Sequence, residues 1–451
     1  MKPKNSENSI SQYQLFRTRL EDFLNKKHPL VQMSSLMDWS YFDEQFGLTF
    51  SDLGRPGLPT RLMVGLTYLK HAFDCSDESL VEMFVENAYW QYFCGFEYFQ
   101  HKFPCDPTSL VRWRKRLGEE GCKKLLEETL RIAHGEKILK ASHLSEVIVD
   151  TTVQEKNITH PTDAKLLYKM RELLVRAAQE RGIELRQSYV RVAKTLKWKQ
   201  SGYAHAKQFR RSRKAVKKLK IFLGRVMRDI ERKCINPDPK LDHLLRLAFR
   251  LFWQDKNDKD KKKLYSLHEP QVDCIGKGKA HKPYEFGCKT SLVATAQSNW
   301  VLNVTSFHGN PYDGHTLREV IQNTEGSTGV NIQNIFADRG YRGSLHWPED
   351  KKVFLSGRRK LKARLKKLLR RRSAIEPLFG HMKQSYRLKR NFLKGMIGDH
   401  INGTLSGTAF NFKKLLNHFR TFLRQIFINL QIEKSQHYFK IYLAHPLLSL
   451  N

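Results

Sequence analysis

The sequence predicts an α/β protein: a mixed sheet with helices against it, preceded by an all-α block and interrupted by a helical insertion. Three observations predict it. Short β-branched runs bounded by turn residues mark strands, apolar residues at three- and four-residue spacing mark helices, and an abrupt basic, helical texture marks the insertion. At 451 residues the chain has room for two or three domains, because a single core rarely grows past about 250 residues.

Residues 1–140 read as a helical, DNA-binding block. In LPTRLMVGLTYLKHAF, Leu62, Leu66, Leu69 and Phe73 share one face, with Pro59 and Thr60 at the start. The pattern continues through DESLVEMFVENAYWQYFCG and, after the break PCDPTS, through SLVRWRKRLGEEG. There Ser109 is placed to cap a helix carrying Arg112, Arg114, Lys115 and Arg116. That basic face suits DNA phosphates; solvated charge opposite a Leu110, Trp113, Leu117 core stripe is the competing reading.

The sheet-bearing region is expected over 141–395. EVIVDTTV reads as a buried strand ending at Asp150 and two threonines, and Asp163 in HPTDAKLL reads as a helix start. From about 165 to 263 a long basic helical segment, closing on DKNDKDKKK, reads as the insertion. Strands return at FGCKTSLVATAQ and WVLNVTSFHG, then a helix at HTLREVIQNT, then the strand NIQNIFADRGY running into Asp338. The basic amphipathic segment RRKLKARLKKLLRR precedes SAIEPLFGHMKQSYRLKRN. Residues 396–451 carry helical spacing and read as a C-terminal helical tail docking on the body.

The charge points to a polyanion. With 80 Lys and Arg against 45 Asp and Glu, the net charge is +35, and neutralising phosphates releases counterions and drives DNA binding. A membrane partner is not expected: no stretch of about 18 uncharged apolar residues could span a bilayer, and the polar first 25 residues give no signal peptide. The seven cysteines are scattered without a CxxC, so neither a disulfide framework nor a metal knuckle is expected, and a cytoplasmic setting follows.

Phosphoryl transfer on DNA can be run by two divalent ions about 4 Å apart, and Mg²⁺ or Mn²⁺ wants oxygen ligands from several rigid elements. If the strands ending at Asp150 and Asp338 are parallel neighbours, their carboxylates meet at one sheet edge. Glu376, 38 residues after Asp338, is the third candidate ligand, with Lys383 two helical turns on and Arg372 four residues before it as phosphate contacts. Plainer readings compete: Asp338 opens a turn, and Glu376 completes a capping box with Ser373.

The motifs VIVDTTVQEKNI, YSLHEPQVDCIGKGKAHKPYEFGCKTSLVAT, HGNPYDGHTL, ADRGYRG and RRRSAIEPLFGHMK, in this order, closely resemble bacterial insertion-sequence transposases of the IS-five family. Residues 33–121 resemble the helical N-terminal domain of those enzymes. The resemblance implies an RNase H-like core with a metal-binding triad at Asp150, Asp338 and Glu376, and Arg372 and Lys383 match the family's signature around its glutamate. One position departs: where the pattern often carries a tyrosine before the arginine block, this chain has Leu369. His308, Asp313, His315 and Arg342 are expected near the site, Arg342 as a DNA contact or a structural ion pair. The expected activity is metal-dependent cleavage and joining of DNA at terminal inverted repeats by at least a dimer; a nuclease without strand transfer and a non-catalytic DNA-binding regulator are the rivals.

Overall fold

The computed structural model describes residues 17–47, 57–255, 263–278 and 281–444, with side chains to residue 420. The run 256–262, most of the charged DKNDKDKKK stretch, lies outside the described residues, as do 1–16 and 445–451.

The N-terminal block is helical throughout: α1 Leu20–Phe23, α2 Pro29–Leu36, α3 Trp39–Gly47, α4 Thr60–Ala72, α5 Asp77–Glu86, α6 Ala88–Phe93, α7 Thr108–Gly135 and α8 Ala141–Leu144. Helix α4 is buried on nearly every side, so its apolar face is wider than the predicted stripe. Helix α7 begins at Thr108, not at a Ser109 cap: the Asp106 carboxylate accepts from the Thr108 N–H at 2.8 Å. At Gly118 (φ 62°) it kinks, a backbone state that glycine adopts without steric cost.

Strand β1, Glu146–Lys156, runs 11 residues, so Asp150 sits in mid-strand and does not end it. The two threonines continue the ladder because β3 pairs beside them. Four helices follow: α9 Asp163–Glu180, α10 Val190–His205, α11 Phe209–Lys233 and α12 Pro239–Trp253. They enclose their own apolar core, including Met170, Leu174, Leu223, Met227, Ile230 and Leu241. Asp163 opens α9, as predicted.

The sheet then resumes with β2 Asp273–Gly276, β3 Tyr284–Thr295, β4 Val301–Phe307, helix α13 Asp313–Thr328, β5 Asn334–Ala337 and β6 Lys352–Leu355. Helices α14 Ala363–Arg371 and α15 Ile375–Ser385 and the two-residue strand β7 Arg390–Asn391 complete it. The order is β2-β3-β1-β5-β6; β4 lies on the outer edge of β3, and β7 pairs with the end of β1. Strands β1, β5 and β6 are parallel, whereas β3 runs antiparallel to β1, so the sheet is mixed. Strands β2, β6 and β7 were not among the predicted strands.

Helix α16, Gly395–Ala444, is more than a tail. It packs against α4, α7 and β4, and Ile401, Leu405, Phe412 and Leu415 join the N-terminal helices and the sheet in one apolar core. Gly407 permits the close approach: a Cβ there would stand 2.9 Å from Val301 and Val304 of β4. A buried polar cluster fixes its start, where Asp399 accepts from Lys156 of β1 (2.7 Å) and Asn391 (2.6 Å).

Candidate active site

The β1–β5 register decides the site. Val147 stands opposite Ile335 and Ile148 opposite Phe336, so two residues further the parallel pair brings Asp150 alongside Asp338. The predicted meeting of the two carboxylates therefore holds, although Asp150 reaches it from mid-strand.

Each carboxylate is held locally. One Asp150 oxygen accepts from the Thr151 N–H at 2.7 Å and the other faces the Arg372 guanidinium at 3.3 Å. Asp338 caps a short 3-10 turn by accepting from the Gly340 N–H at 2.7 Å, so the plainer turn reading is also correct. Glu376 lies in the first turn of α15, 70% exposed, with Arg372 Nη2 at 3.8 Å. No capping box involves it: Ser373 Oγ donates to the Arg370 carbonyl instead. One guanidinium thus touches Asp150 and reaches Glu376, tying the sheet to the helix. Lys383 is half-buried on the same helix. Leu369, in the position of the family's tyrosine, packs on the apolar core beneath.

Burial raises the Asp150 carboxyl to about 6, and the fields of Asp338 and Asp313 add to it; the Thr151 N–H and Arg372 oppose. A carboxyl so placed binds a proton or a cation more readily than an exposed one. The donor set is all oxygen, which suits Mg²⁺ or Mn²⁺. Gly340 keeps room between the acids, since a Cβ there would lie 2.9 Å from Asp338 Oδ1 and 3.1 Å from Asp313 Oδ2. The residues fit a divalent cation on both counts.

Other predicted residues fall elsewhere. Arg114 is 8% exposed and grips Asp77 with both terminal nitrogens, at 2.9 and 2.6 Å, so it is a structural ion pair and not a DNA contact. Arg112 is exposed. Arg342 is also exposed, beside Trp347 and Arg358 on the loop after β5. His315 packs against His346 at 4.1 Å. His308 leaves the site altogether: its Nε2 meets Asp399 at 3.0 Å. With Cys288 these form, among the described residues, a trio whose ligand atoms lie within 4.8 Å of one another. Asp399 already holds Lys156 and Asn391, and Cys288 Sγ accepts from Gln154, so the trio is knitted into a packed polar cluster.

Lys289 was missed by the sequence reading. It lies on β3 and pairs with Asp313 at 2.8 Å. The only signal was its alternation within GCKTSL, which puts a lysine on the face that Thr151 also lines.

Residues 18–116 match the family described as Transposase domain (DUF772), and residues 255–412 match the Transposase DDE domain family. The second match contains Asp338 and Glu376, while Asp150 lies between the two matched segments. A protein of Rhizobium meliloti described as "Uncharacterized protein ORF8 in nfe locus" is 48% identical over 195 residues, which are 43% of this chain and 94% of that protein. No solved structure matches the chain. No helix among the described residues is long and apolar enough to cross a membrane.

Proposed function

The chain belongs to the DDE transposases, which cut DNA with the help of divalent metal ions, and from that premise we propose that Asp150, Asp338 and Glu376 are its metal ligands. The observation that carries the proposal is the parallel register of β1 and β5, which sets Asp150 beside Asp338 with Arg372 between Asp150 and Glu376. The matched DDE domain implies an RNase H-like fold, and the strand order around β1 is in keeping with it.

Two ions, Mg²⁺ or Mn²⁺, are proposed; when bound they activate the attacking water or 3′-hydroxyl and stabilise the leaving oxygen. The chain's own residues do the rest. Arg372 keeps Asp150 and Glu376 from repelling one another and offers its remaining N–H groups to a phosphate. Lys383 and Arg342 are proposed to hold the strand on either side of the scissile bond. The α10–α11 pair supplies much of the DNA affinity: residues 190–233 carry sixteen Lys and Arg against two acids. Arg112 on α7 adds to that surface.

The substrate proposed is the terminal inverted repeat of an insertion sequence of the IS-five type, whose 3′ ends are joined to a target by at least a dimer, in the bacterial cytoplasm. Domain limits are proposed at about 140 and 395, with about 165–263 as an insertion whose described helices share their own core.

The test is Mg²⁺-dependent cleavage of a labelled duplex carrying the element's end, with a target plasmid present to score joining. Asp338→Asn is expected to bind the duplex and leave it uncut. Equal cutting by the variant would remove the triad assignment; cutting without joining by the native protein would leave a nuclease.

A further inference from the structure

We propose that Asp313 supplies a fourth carboxylate to the metal site, an assignment that rests on the triad reading and extends it. Asp313 opens α13 and approaches the site from an element separate from β1, β5 and α15. Its two oxygens are differently engaged. Oδ1 accepts from Thr151 Oγ1 at 2.9 Å and from Lys289 Nζ at 2.8 Å. Oδ2 borders the space beside Gly340, where a Cβ would lie 3.1 Å from it and 2.9 Å from Asp338 Oδ1, the oxygen that also accepts from the Gly340 N–H.

That division is what a ligating carboxylate needs. Metal ligands are oriented by outer hydrogen bonds to the atom that does not bind the ion. Here Lys289 is itself fixed, donating also to the Pro311 carbonyl at 2.6 Å, so the Asp313 carboxylate is held at one end and presented at the other. Thr151 follows Asp150 on β1, so the hydroxyl that orients Asp313 belongs to the strand that carries the first triad residue.

A second observation lies beside the acids. Tyr341, fully buried in the turn that Asp338 caps, brings its hydroxyl to Ser291 Oγ, opposite Thr151 in the β1–β3 register, without a full hydrogen bond between them, in the field of Asp150, Asp313 and Asp338. Buried hydroxyls so weakly satisfied are costly.

A structural ion pair between Asp313 and Lys289 is the alternative, and it engages Oδ1 alone. Asp313→Asn separates the two, because the amide oxygen can still accept from Thr151 and Lys289 while the charge is lost. Mn²⁺ binding to the full-length protein without DNA, followed by electron paramagnetic resonance, is the readout, with thermal unfolding recorded in parallel.

Losing an outer-shell partner costs about 10–100-fold in metal affinity. The expected result is a loss beyond about 100-fold, equal to that of Asp338→Asn, with folding retained. A Mn²⁺ affinity within threefold of native for Asp313→Asn, while Asp338→Asn has lost binding, would overturn the proposal. Should neither variant change Mn²⁺ binding, the triad reading itself falls, and this assignment with it. If Asp313→Asn does not fold, Asp313→Glu and Gly340→Ala replace it: both displace Oδ2 from its place, and unchanged Mn²⁺ affinity in both would again overturn the proposal.

Discussion

Replacing Asp77 with alanine is expected to destabilise the protein by about 3–5 kcal/mol while leaving the DNA-contacting surface in place. Asp77 sits in the first turn of α5, where it accepts two bonds from Arg114 of α7 and one from Lys70 of α4. Lys70 and Arg114 are each 8% exposed, so removing the carboxylate leaves two buried cations facing each other. The carboxylate itself gives a second measure. Although burial alone would raise it, the bonds from Arg114 and Lys70 hold it to about 2, against an ordinary 3.8. At 1.36 kcal/mol per pH unit that is roughly 2.5 kcal/mol, less what solvent screening takes at a partly exposed group. The remainder of the loss comes from the stranded cations. Because the folded value lies below the unfolded one, this contribution is complete above about pH 4 and fades as pH falls through 2. Lys70 runs the other way: burial, then Arg114, lowers its ammonium to about 8, so its charge costs stability below that pH and the cost lifts as pH rises toward 10.5. Urea unfolding at pH 7 and pH 3, with duplex binding measured alongside, is the assay. The midpoint should fall at pH 7 for Asp77→Ala and Arg114→Ala alike, and the gap from native should narrow at pH 3. If both variants were as stable as native and only DNA binding fell, the structural reading of Arg114 would be wrong.

Asp399→Ala should cost a further few kcal/mol in the full chain, because Lys156, 3% exposed, would keep one carboxylate, Glu269 at 3.2 Å, and the Gly395 carbonyl at 3.1 Å; faster amide exchange confined to residues 395–405 would localise the effect to the start of α16. Arg372→Ala should lower the single-turnover cleavage rate at least tenfold, and by more than it weakens duplex binding, since it acts on Asp150 and Glu376 besides its one phosphate; an unchanged rate would remove its role. Exchanging the exposed Lys214, Lys217 and Lys218 of α11 for alanine should leave the unfolding midpoint alone and reduce the slope of log affinity against log salt by about 0.9 for each phosphate no longer neutralised. An unaltered slope would take α11 off the DNA path.

The parts of the fold that could be read from the sequence are those whose signal is local. VIV and NIFA are apolar runs of the kind that central parallel strands need, and the basic helices of 163–253 carry their own core spacing. The four-residue strands β2 and β6 and the two-residue β7 escaped because they exist only by pairing with β3, β5 and β1. Arg114 was misread for the same reason: its partner Asp77 lies on another helix, and nothing within RWRKRL says which arginine turns inward. The site falls between these cases. Asp150, Asp313, Asp338 and Glu376 come from a mid-strand position, two helix starts and a turn, and share no period that a sequence pattern could display.

The turn at Asp338 shows why the plain and the functional readings of one residue need not compete. A carboxylate that caps a turn has one oxygen fixed by a backbone N–H, here Gly340 at 2.7 Å, which fixes the side chain and leaves the second oxygen aimed in a constant direction. Asp150 is treated in the same way by the Thr151 N–H, and Asp313 by Thr151 Oγ1 and Lys289. Local hydrogen bonds that stabilise the backbone are therefore the same bonds that would preorganise the proposed oxygen cage for a cation. Glu376 lacks such a bond to the backbone and is the most exposed of the four; among the described residues its ion-pair partner is Arg372, at 3.8 Å. Of the proposed ligands it is accordingly the one expected to move when metal and DNA arrive, while the three aspartates stay where the sheet and the turns have set them.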